Sequence, residues 1–360
     1  MSDEIKTVPE EEAEEAFRTD EIYSYHARKI GHSHHRHSRG KKAVKAAVIT
    51  LAALPFVLAA AGLILFFHYY NLMDIKSIPS ADKKIDYSDV NVTFSDAELS
   101  EIPDGTVEVP AGGVYSEENV TNILLIGTDE RTDYFDYRCR ADSMMILSLN
   151  RKTDEVKLIS LERGMLVSIP GRKPDILTHT FRYGGAALLI QTVESHFKIH
   201  IDNYVRINFF MFKKLIDEIG GVDVSISQKE ADAMNALHKY SPVTEGMNHM
   251  DGVTALSFSR LRRIDSDWRR IERQRKVIAA IKTKMKGKSV FELSGIADNC
   301  LPYVQTDLSS GQFASLLIKM PDFASGNFAE MTIPAKGTYR GLGNVNFAEN
   351  SRILKEYIYG

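Results

Sequence analysis

Between Ala46 and Phe67 the chain reads AAVITLAALPFVLAAAGLILFF, an apolar run without a single charge. A helix of roughly 20 apolar residues, rising about 1.5 Å each, spans the hydrocarbon core of a bilayer. Pro55 does not disqualify the run, because transmembrane helices re-satisfy the carbonyl that a proline frees. A buried core helix is the competing reading, but such helices seldom go this long without a charge. Arg36, Arg39, Lys41, Lys42 and Lys45 precede the run, whereas Tyr69, Tyr70 and Asp74 follow it. The positive-inside rule then puts the N-terminus in the cytoplasm and everything beyond about residue 70 outside. The run begins too far in, and extends too long, for a cleaved signal peptide. The expectation is a retained signal anchor in a single-pass, type II protein of the cell membrane.

The flanks divide accordingly. Residues 1–45 are a tail, first acidic (Glu10, Glu11, Glu12, Glu14, Glu15) and then basic and histidine-rich (His32, His34, His35, His37). Such composition predicts disorder, with metal binding or contact with anionic lipid as readings of the histidines. Residues 71–118 hold Pro79, Pro103, Pro110 and Gly112-Gly113 without a sustained apolar period. They read as a stalk with a short accessory strand or two. The domain expected over 119–360 mixes periods. NILLIG (122–127), SMMILSL (143–149), EVKLISL (155–161), YVRINF (204–209), VDVSI (222–226) and a stretch near 328–333 read as strands. Helical spacing covers 184–197, 210–219, 268–286, 291–300, 310–319 and 347–358. Strands interleaved with helices predict an α/β fold, a mixed central sheet flanked by helices. The net charge of −3 argues against a general nucleic-acid binder. Cys139 and Cys300 lack metal-ligand spacing, and a bridge between them is neither required nor excluded.

If the first three strands form an antiparallel meander, the end of the first, the start of the second and the end of the third share one sheet edge. Asp129, Arg131, Arg140, Asp142 and Arg163 would then converge there. On the helix from 268, Arg270 and Gln274 fall on the stripe of Ile271, Val277, Ile278, Ile281 and Met285, while Arg269, Glu272, Arg275 and Lys276 point away. A buried arginine needs a carboxylate or a pocket. Asp267 serves either as the helix cap or as a partner holding arginines. Arg260 and Arg262 share a side if SFSRLRR is extended. Arg140, Arg163, Arg260, Arg262 and Arg270 outnumber Asp129, Asp142 and Asp267, and an excess of guanidinium forks calls for phosphate. Two carboxylates beside phosphate suit Mg²⁺. A set of arginine–aspartate bridges fits the same spacing.

NILLIGTDER, RADSMMILSLN, SLERG, THTFRYGGA, YVRINF, GGVDV, MDGVTALSFSRLR and DWRRIERQ occur in that order. In these motifs the chain resembles the LytR-CpsA-Psr family of Gram-positive bacteria, from about Asn122 to Lys286 and more loosely to the C-terminus. The resemblance implies an apolar groove for a polyprenyl chain and transfer of a glycopolymer from a polyprenyl-pyrophosphate carrier to peptidoglycan. It implies Asp129 and Asp142 as acids that hold Mg²⁺ or orient arginines. Arg140, Arg163, Arg260, Arg262, Arg270 and Gln274 match pyrophosphate-site positions, with Arg163, Arg260, Arg262 and Asp129 carrying the chemistry. Arg131 and Arg273 match motif positions without a defined role. The expected partners are therefore the lipid-linked glycopolymer, peptidoglycan and membrane lipid, and not nucleic acid.

Two positions depart from the pattern. Gly164 stands where the family commonly has an aspartate after the arginine, and Ile176 where it often has a lysine, with Lys173 nearby in sequence. These losses open a second class of function, a receptor that binds polyprenyl phosphate or wall polymer without turning it over, and a variant of the first, hydrolysis with water as acceptor. A transcriptional regulator would need the folded domain in the cytoplasm, against the charge bias of the anchor.

Overall fold

The computed structural model describes residues 59–78, 92, 94–95, 99–100, 102–136, 138–237, 242–261, 264, 266–325 and 328–360. The tail 1–45, the first part of the apolar run and Arg262 lie outside the described residues. The chain divides into two units, Met1–Phe67 and His68–Gly360. In the first, 59–67 is helical and exposes Leu63, Ile64, Leu65 and Phe67. Among the described residues no helix is long and apolar enough to cross a membrane.

The second unit is built on a seven-stranded mixed sheet. Its strands are β1 (Asp74–Ile75), β2 (Val120–Thr128), β3 (Ala141–Asn150), β4 (Glu155–Leu161), β7 (Asn203–Asn208), β10 (Gln305–Thr306) and β11 (Phe328–Ile333), in the order β1-β10-β7-β2-β3-β4-β11. Two small pairs, β5 (Leu166–Val167) with β6 (Asp175–Ile176) and β8 (Val222–Ile226) with β9 (Gly246–Met250), stand apart. The expected meander is present: β2 runs antiparallel to β3, and β3 to β4. The β3–β4 turn follows from its polar residues, since Asn150 Oδ1 accepts from the Lys152 amide at 2.9 Å and Asp154 takes φ 55°, a left-handed conformation that aspartate tolerates. β1 attaches to the sheet from within the segment read as stalk.

Period-two alternation splits the sheet into two faces. Leu124, Ile126, Met144, Ile146, Ile159 and Leu161 bury one face under helices α1 (Leu177–Phe197) and α8 (Phe347–Tyr359). Tight packing of this kind makes a leucine-to-alanine change cost about 2–5 kcal/mol. α1 kinks at Gly184 and Gly185, the latter at φ 61° and ψ −154°, a backbone region open essentially to glycine. The THTFRYGG motif closes on a carboxylate below this kink: Asp175 receives His179 Nδ1 at 3.0 Å and the Tyr183 hydroxyl at 2.6 Å. Over the other face lie α2 (Phe209–Glu218), α3 (Gln228–Asn235), α4 (Gly252–Ser259), α5 (Asp267–Lys286), α6 (Val290–Cys300) and α7 (Ser310–Ser325). The extended form on which Arg260 and Arg262 would share a side is not what precedes Arg260: Ser257, Phe258 and Ser259 end α4, with Arg260 as its C-cap. The buried side of that helix, Thr254, Ala255 and Phe258, supplies a 3.6-residue period that the sequence reading passed over. Cys139 and Cys300 are both buried free thiols.

Candidate active site

One end of the sheet gathers the functional side chains because four strands meet there: Thr128 at the end of β2 pairs with Ala141 at the start of β3 and with Asn208 at the end of β7, and Leu161 ends β4 opposite Met144. A β-bulge aims one of them. Gly127 pairs with Ser143 and Thr128 with Ala141, so Asp142 is the extra residue, and bulges of this kind redirect a side chain out of the pleat. Gly127 permits the close approach, since a Cβ there would lie 3.1 Å from Ser143 Cβ.

Three of the guanidiniums gathered here, those of Arg140, Arg163 and Arg270, are held by carboxylates. Arg163 Nη1 donates to Asp142 Oδ1 at 2.6 Å, with the arginine side chain 2% exposed. Arg140 donates to Asp129 through its amide at 2.9 Å and its Nε at 3.2 Å. Arg270 Nη1 lies 3.0 Å from Asp267 Oδ1. Asp267 therefore acts as a partner of an arginine, and no side-chain cap bond is made at the start of α5. Arg260 has no ion pair among the described residues and rests on the Phe209 ring, 4.3 Å from its centroid. Burial alone would raise the Asp142 pKa, but Arg163, Arg140, Arg270 and Arg260 together outweigh it and hold the carboxyl below its ordinary value. Four guanidiniums acting on one carboxylate measure how closely they gather. Burial lowers the pKa of Arg260 and Arg270, and repulsion adds to it, from Arg131 and Arg140 on the first and from Arg163 on the second.

A cavity of about 360 Å³ opens from this cluster. Its head is lined by Arg140, Asp142, Arg260, Arg270 and Gln274, the last accepting the Ser143 hydroxyl at 3.2 Å. Its body has no charge: Leu125, Met145, Val205 and Ile207 form the sheet side, and Phe212, Leu215, Ile278 and Ile281 the helix side. Arg163 and Asp129 stand behind this wall, holding Asp142 and Arg140 in place. Arg131 is exposed nearby. Arg273, 1% exposed on its side chain, turns from the cavity to Glu230 at 3.0 Å and the Leu261 carbonyl at 2.5 Å. Arg275 does not point away into solvent as its helical phase suggests. It reaches Ser160 at 3.1 Å and the Met331 carbonyl.

Two further groups escaped the sequence reading. Arg206 of YVRINF is buried, pairs with Glu130 and bonds the Asp136 carbonyl at 2.6 Å, pinning the 129–140 loop that carries Asp129 and Arg140. An arginine at an inward position of a central strand was the available signal. Glu162, wholly buried, curls so that Oε2 accepts the Gly164 amide at 2.5 Å and lies 3.2 Å from where a Gly164 Cβ would stand. A carboxyl group thus fills the space beside the absent side chain. Burial, and next the Asp267 carboxylate, push the Glu162 pKa up to about 7, against the pull of Arg270 and the Gly164 amide. At the other departure, Ile176 is buried and pairs with Leu166, while Lys173 is exposed.

Guanidiniums at one end of an otherwise apolar channel define a binder of amphiphiles with anionic heads. Residues 79–357 match the LytR_cpsA_psr family, and the chain belongs to that family. A protein of Oceanobacillus iheyensis named polyisoprenyl-teichoic acid–peptidoglycan teichoic acid transferase TagU is 35% identical over 239 residues, covering 64% of this chain and 72% of its own. Solved structures share the fold: TagT bound to LI-WTA has a TM-score of 0.54 at 27% identity, over 67% of this chain and 91% of that one. TagT with bound octaprenyl pyrophosphate lipid has a TM-score of 0.51 at 25% identity, over the same shares of the two chains.

Proposed function

We propose that this protein transfers a glycopolymer from a polyprenyl-pyrophosphate carrier to peptidoglycan, held in the cell membrane by the run 46–67 with its α/β domain outside. The observation that carries the reading is a cavity whose head is cationic and whose body is apolar along its length. A diphosphate satisfies the first part and a prenyl chain the second. The relatives named for teichoic acid transfer, and the TagT structure holding an octaprenyl pyrophosphate, support the same substrate class. Exposed Leu63, Ile64, Leu65 and Phe67 support the anchor, since four large apolar side chains in water cost free energy that lipid removes.

Phosphoryl transfer asks a protein for position and charge rather than covalent chemistry. Arg140, Arg260 and Arg270 grip the diphosphate, while Arg163 and Asp129 keep the wall residues oriented from behind. A peptidoglycan hydroxyl attacks the phosphorus that bears the glycopolymer. A new P–O bond forms, the bond to the bridging oxygen breaks, and polyprenyl phosphate leaves with the hydroxyl's proton, its remaining charge met by the guanidiniums. Among the described residues no three potential ligands cluster to hold a metal unaided. With Oδ1 engaged by Arg163, Asp142 has its second oxygen left and would be the residue to hold a divalent cation, a carboxylate beside phosphate being a donor set that suits Mg²⁺. Asp129 fits less well, because both its oxygens accept from Arg140. Bound there, Mg²⁺ would neutralise charge on the leaving phosphate.

Arg260→Ala and Arg270→Ala in the full chain, in vesicles carrying the lipid-linked polymer, are expected to lose about 100- to 1000-fold in turnover while the circular dichroism spectrum is kept. Undiminished turnover would remove the assignment. Gly164 and Ile176 favour one other reading, a receptor without chemistry. Tight carrier binding with no polyprenyl phosphate released, with or without Mg²⁺, would establish it.

A further inference from the structure

Phe291 and Val290 are 88% and 80% exposed, more than any other large hydrophobic among the described residues. They are not at a loose end. A capping box fixes the turn that carries them: the Glu292 carboxylate accepts the Ser289 amide at 2.9 Å, and Ser289 Oγ accepts the Glu292 amide at 3.3 Å. Lys282, Lys284, Lys286 and Lys288 precede the pair, against Glu292 alone in the same stretch. Lys284 reaches Asp223 at 3.3 Å and Lys288 reaches Glu292 at 3.2 Å, while Lys286 is exposed.

Two observations say what covers this patch. Farther along α6, the Asp298 carboxylate lies 2.9 Å from His68 Nε2, and His68 directly follows the apolar run. Eight residues of helix separate Val290 from Asp298, about 12 Å, so the pair stands close to the point where an anchored chain leaves the bilayer. The second observation is the direction of the cavity. Its apolar wall follows α5 from the arginine end to Ile281 and includes Leu215 of α2; α2 is tied to α6 by Asn299 Nδ2 donating to Glu218 at 3.1 Å. The tail end of the channel therefore lies on the side of the molecule that carries Val290 and Phe291.

We propose that Val290 and Phe291, with the lysines before them, insert into the anionic lipid surface of the membrane that holds the anchor, and so seat the tail end of the cavity on the bilayer from which its lipid is drawn. Aromatic and aliphatic side chains at headgroup depth beside lysines are what such a surface selects. The inference rests on the run 46–67 being an anchor.

The test uses the full chain in phosphatidylcholine–phosphatidylglycerol vesicles, with Phe291→Cys carrying an environment-sensitive dye and Met247→Cys, 69% exposed in β9, as the reference. Cys139 and Cys300 are buried and stay unlabelled. The dye at 291 is expected to shift to the blue and be quenched by spin-labelled lipid, and the dye at 247 to do neither. Phe291→Asp is expected to slow turnover of carrier embedded in vesicles about tenfold, the loss of one buried aromatic, and to leave turnover of a short-chain carrier dispersed in detergent unchanged. If the chain floats with the vesicles but both dyes remain equally wet, the docking surface is refuted and the anchor stands. A chain that fails to float refutes both. A blue shift without lipid that grows with protein concentration shows a second copy covering the patch and also overturns the inference.

Discussion

Glu162 offers the sharpest quantitative test of the site's electrostatics. Folded, its pKa is about 7 because burial and Asp267 disfavour the charge; unfolded, a glutamate titrates near 4.5. Below the lower value both states hold the proton and nothing differs. Between the two the folded state keeps a proton that the unfolded state has released, so unfolding free energy falls as pH rises, by about 1.4 kcal/mol per unit. Above about 7 both states are ionised and the fall stops, at a total of about 3 kcal/mol. Glu162→Gln keeps the shape, the polarity and the acceptor for the Gly164 amide, and removes the titration. Urea unfolding of the two proteins across pH 4 to 9 gives a difference curve for Glu162 together with the Asp267 carboxylate that interacts with it, because the titrating residues remote from the pair cancel. The curve is expected to favour the glutamine variant progressively with rising pH and to level off past neutrality. Parallel profiles would refute the reasoning, and so would a difference that grows toward acid.

The same ionisation places a negative charge beside Arg270, so affinity for a polyprenyl pyrophosphate is expected to weaken above pH 7 in the natural protein and to stay flat in Glu162→Gln, as read by titration calorimetry. Arg273→Met removes the donor to Glu230 Oε1 and to the Leu261 carbonyl, while Ser227 still holds Glu230 Oε2, and is expected to cost about 1–3 kcal/mol, measured by denaturation. Ile278→Asp sets a charge in the channel wall; affinity for a long prenyl pyrophosphate is expected to fall about 100-fold while inorganic pyrophosphate binds as before. Gly127→Val forces Ser143 away and is expected to weaken the Asp142–Arg163 contact, visible as a loss of turnover exceeding the loss of stability.

How far the sequence could be read depended on whether a side chain's neighbours were local or distant. β2, β3 and β4 were legible because alternation and short turns set their pairing, and the convergence of Asp129, Arg140, Asp142 and Arg163 followed from that meander alone. Arg270 and Gln274 were legible through helical phase. The same phase failed for Arg275, whose partners Ser160 and Met331 belong to strands remote in sequence, and left Arg273 without a role. α4 went unseen because it is only 8 residues long, too short to show a sustained apolar period, although Asp251 caps it by accepting the Thr254 amide at 2.8 Å. Glu162 looked like a strand-end charge, and only the fold reveals its carboxyl beside Gly164. The register shift that makes Asp142 a bulge residue leaves no mark in the sequence.

The sequence posed two explanations of the arginines as rivals, mutual bridges to aspartates or a site for phosphate, and the structure shows why they are compatible. Asp129, Asp142 and Asp267 each take an arginine, yet Arg140, Arg270 and the unbridged Arg260 all remain on the cavity wall. A guanidinium has five donors and a carboxylate occupies two at most. An arginine already fixed by its aspartate therefore meets a diphosphate with donors to spare and little side-chain entropy left to lose. Unbridged arginines would repel one another apart before any ligand arrived. Three carboxylates against Arg140, Arg163, Arg260 and Arg270 bring the cluster near neutrality without cancelling it, and a protonated Glu162 leaves that balance positive. Bridging is thus the means by which so many cations can wait at one sheet edge, and the remaining positive charge is what an anion finds there.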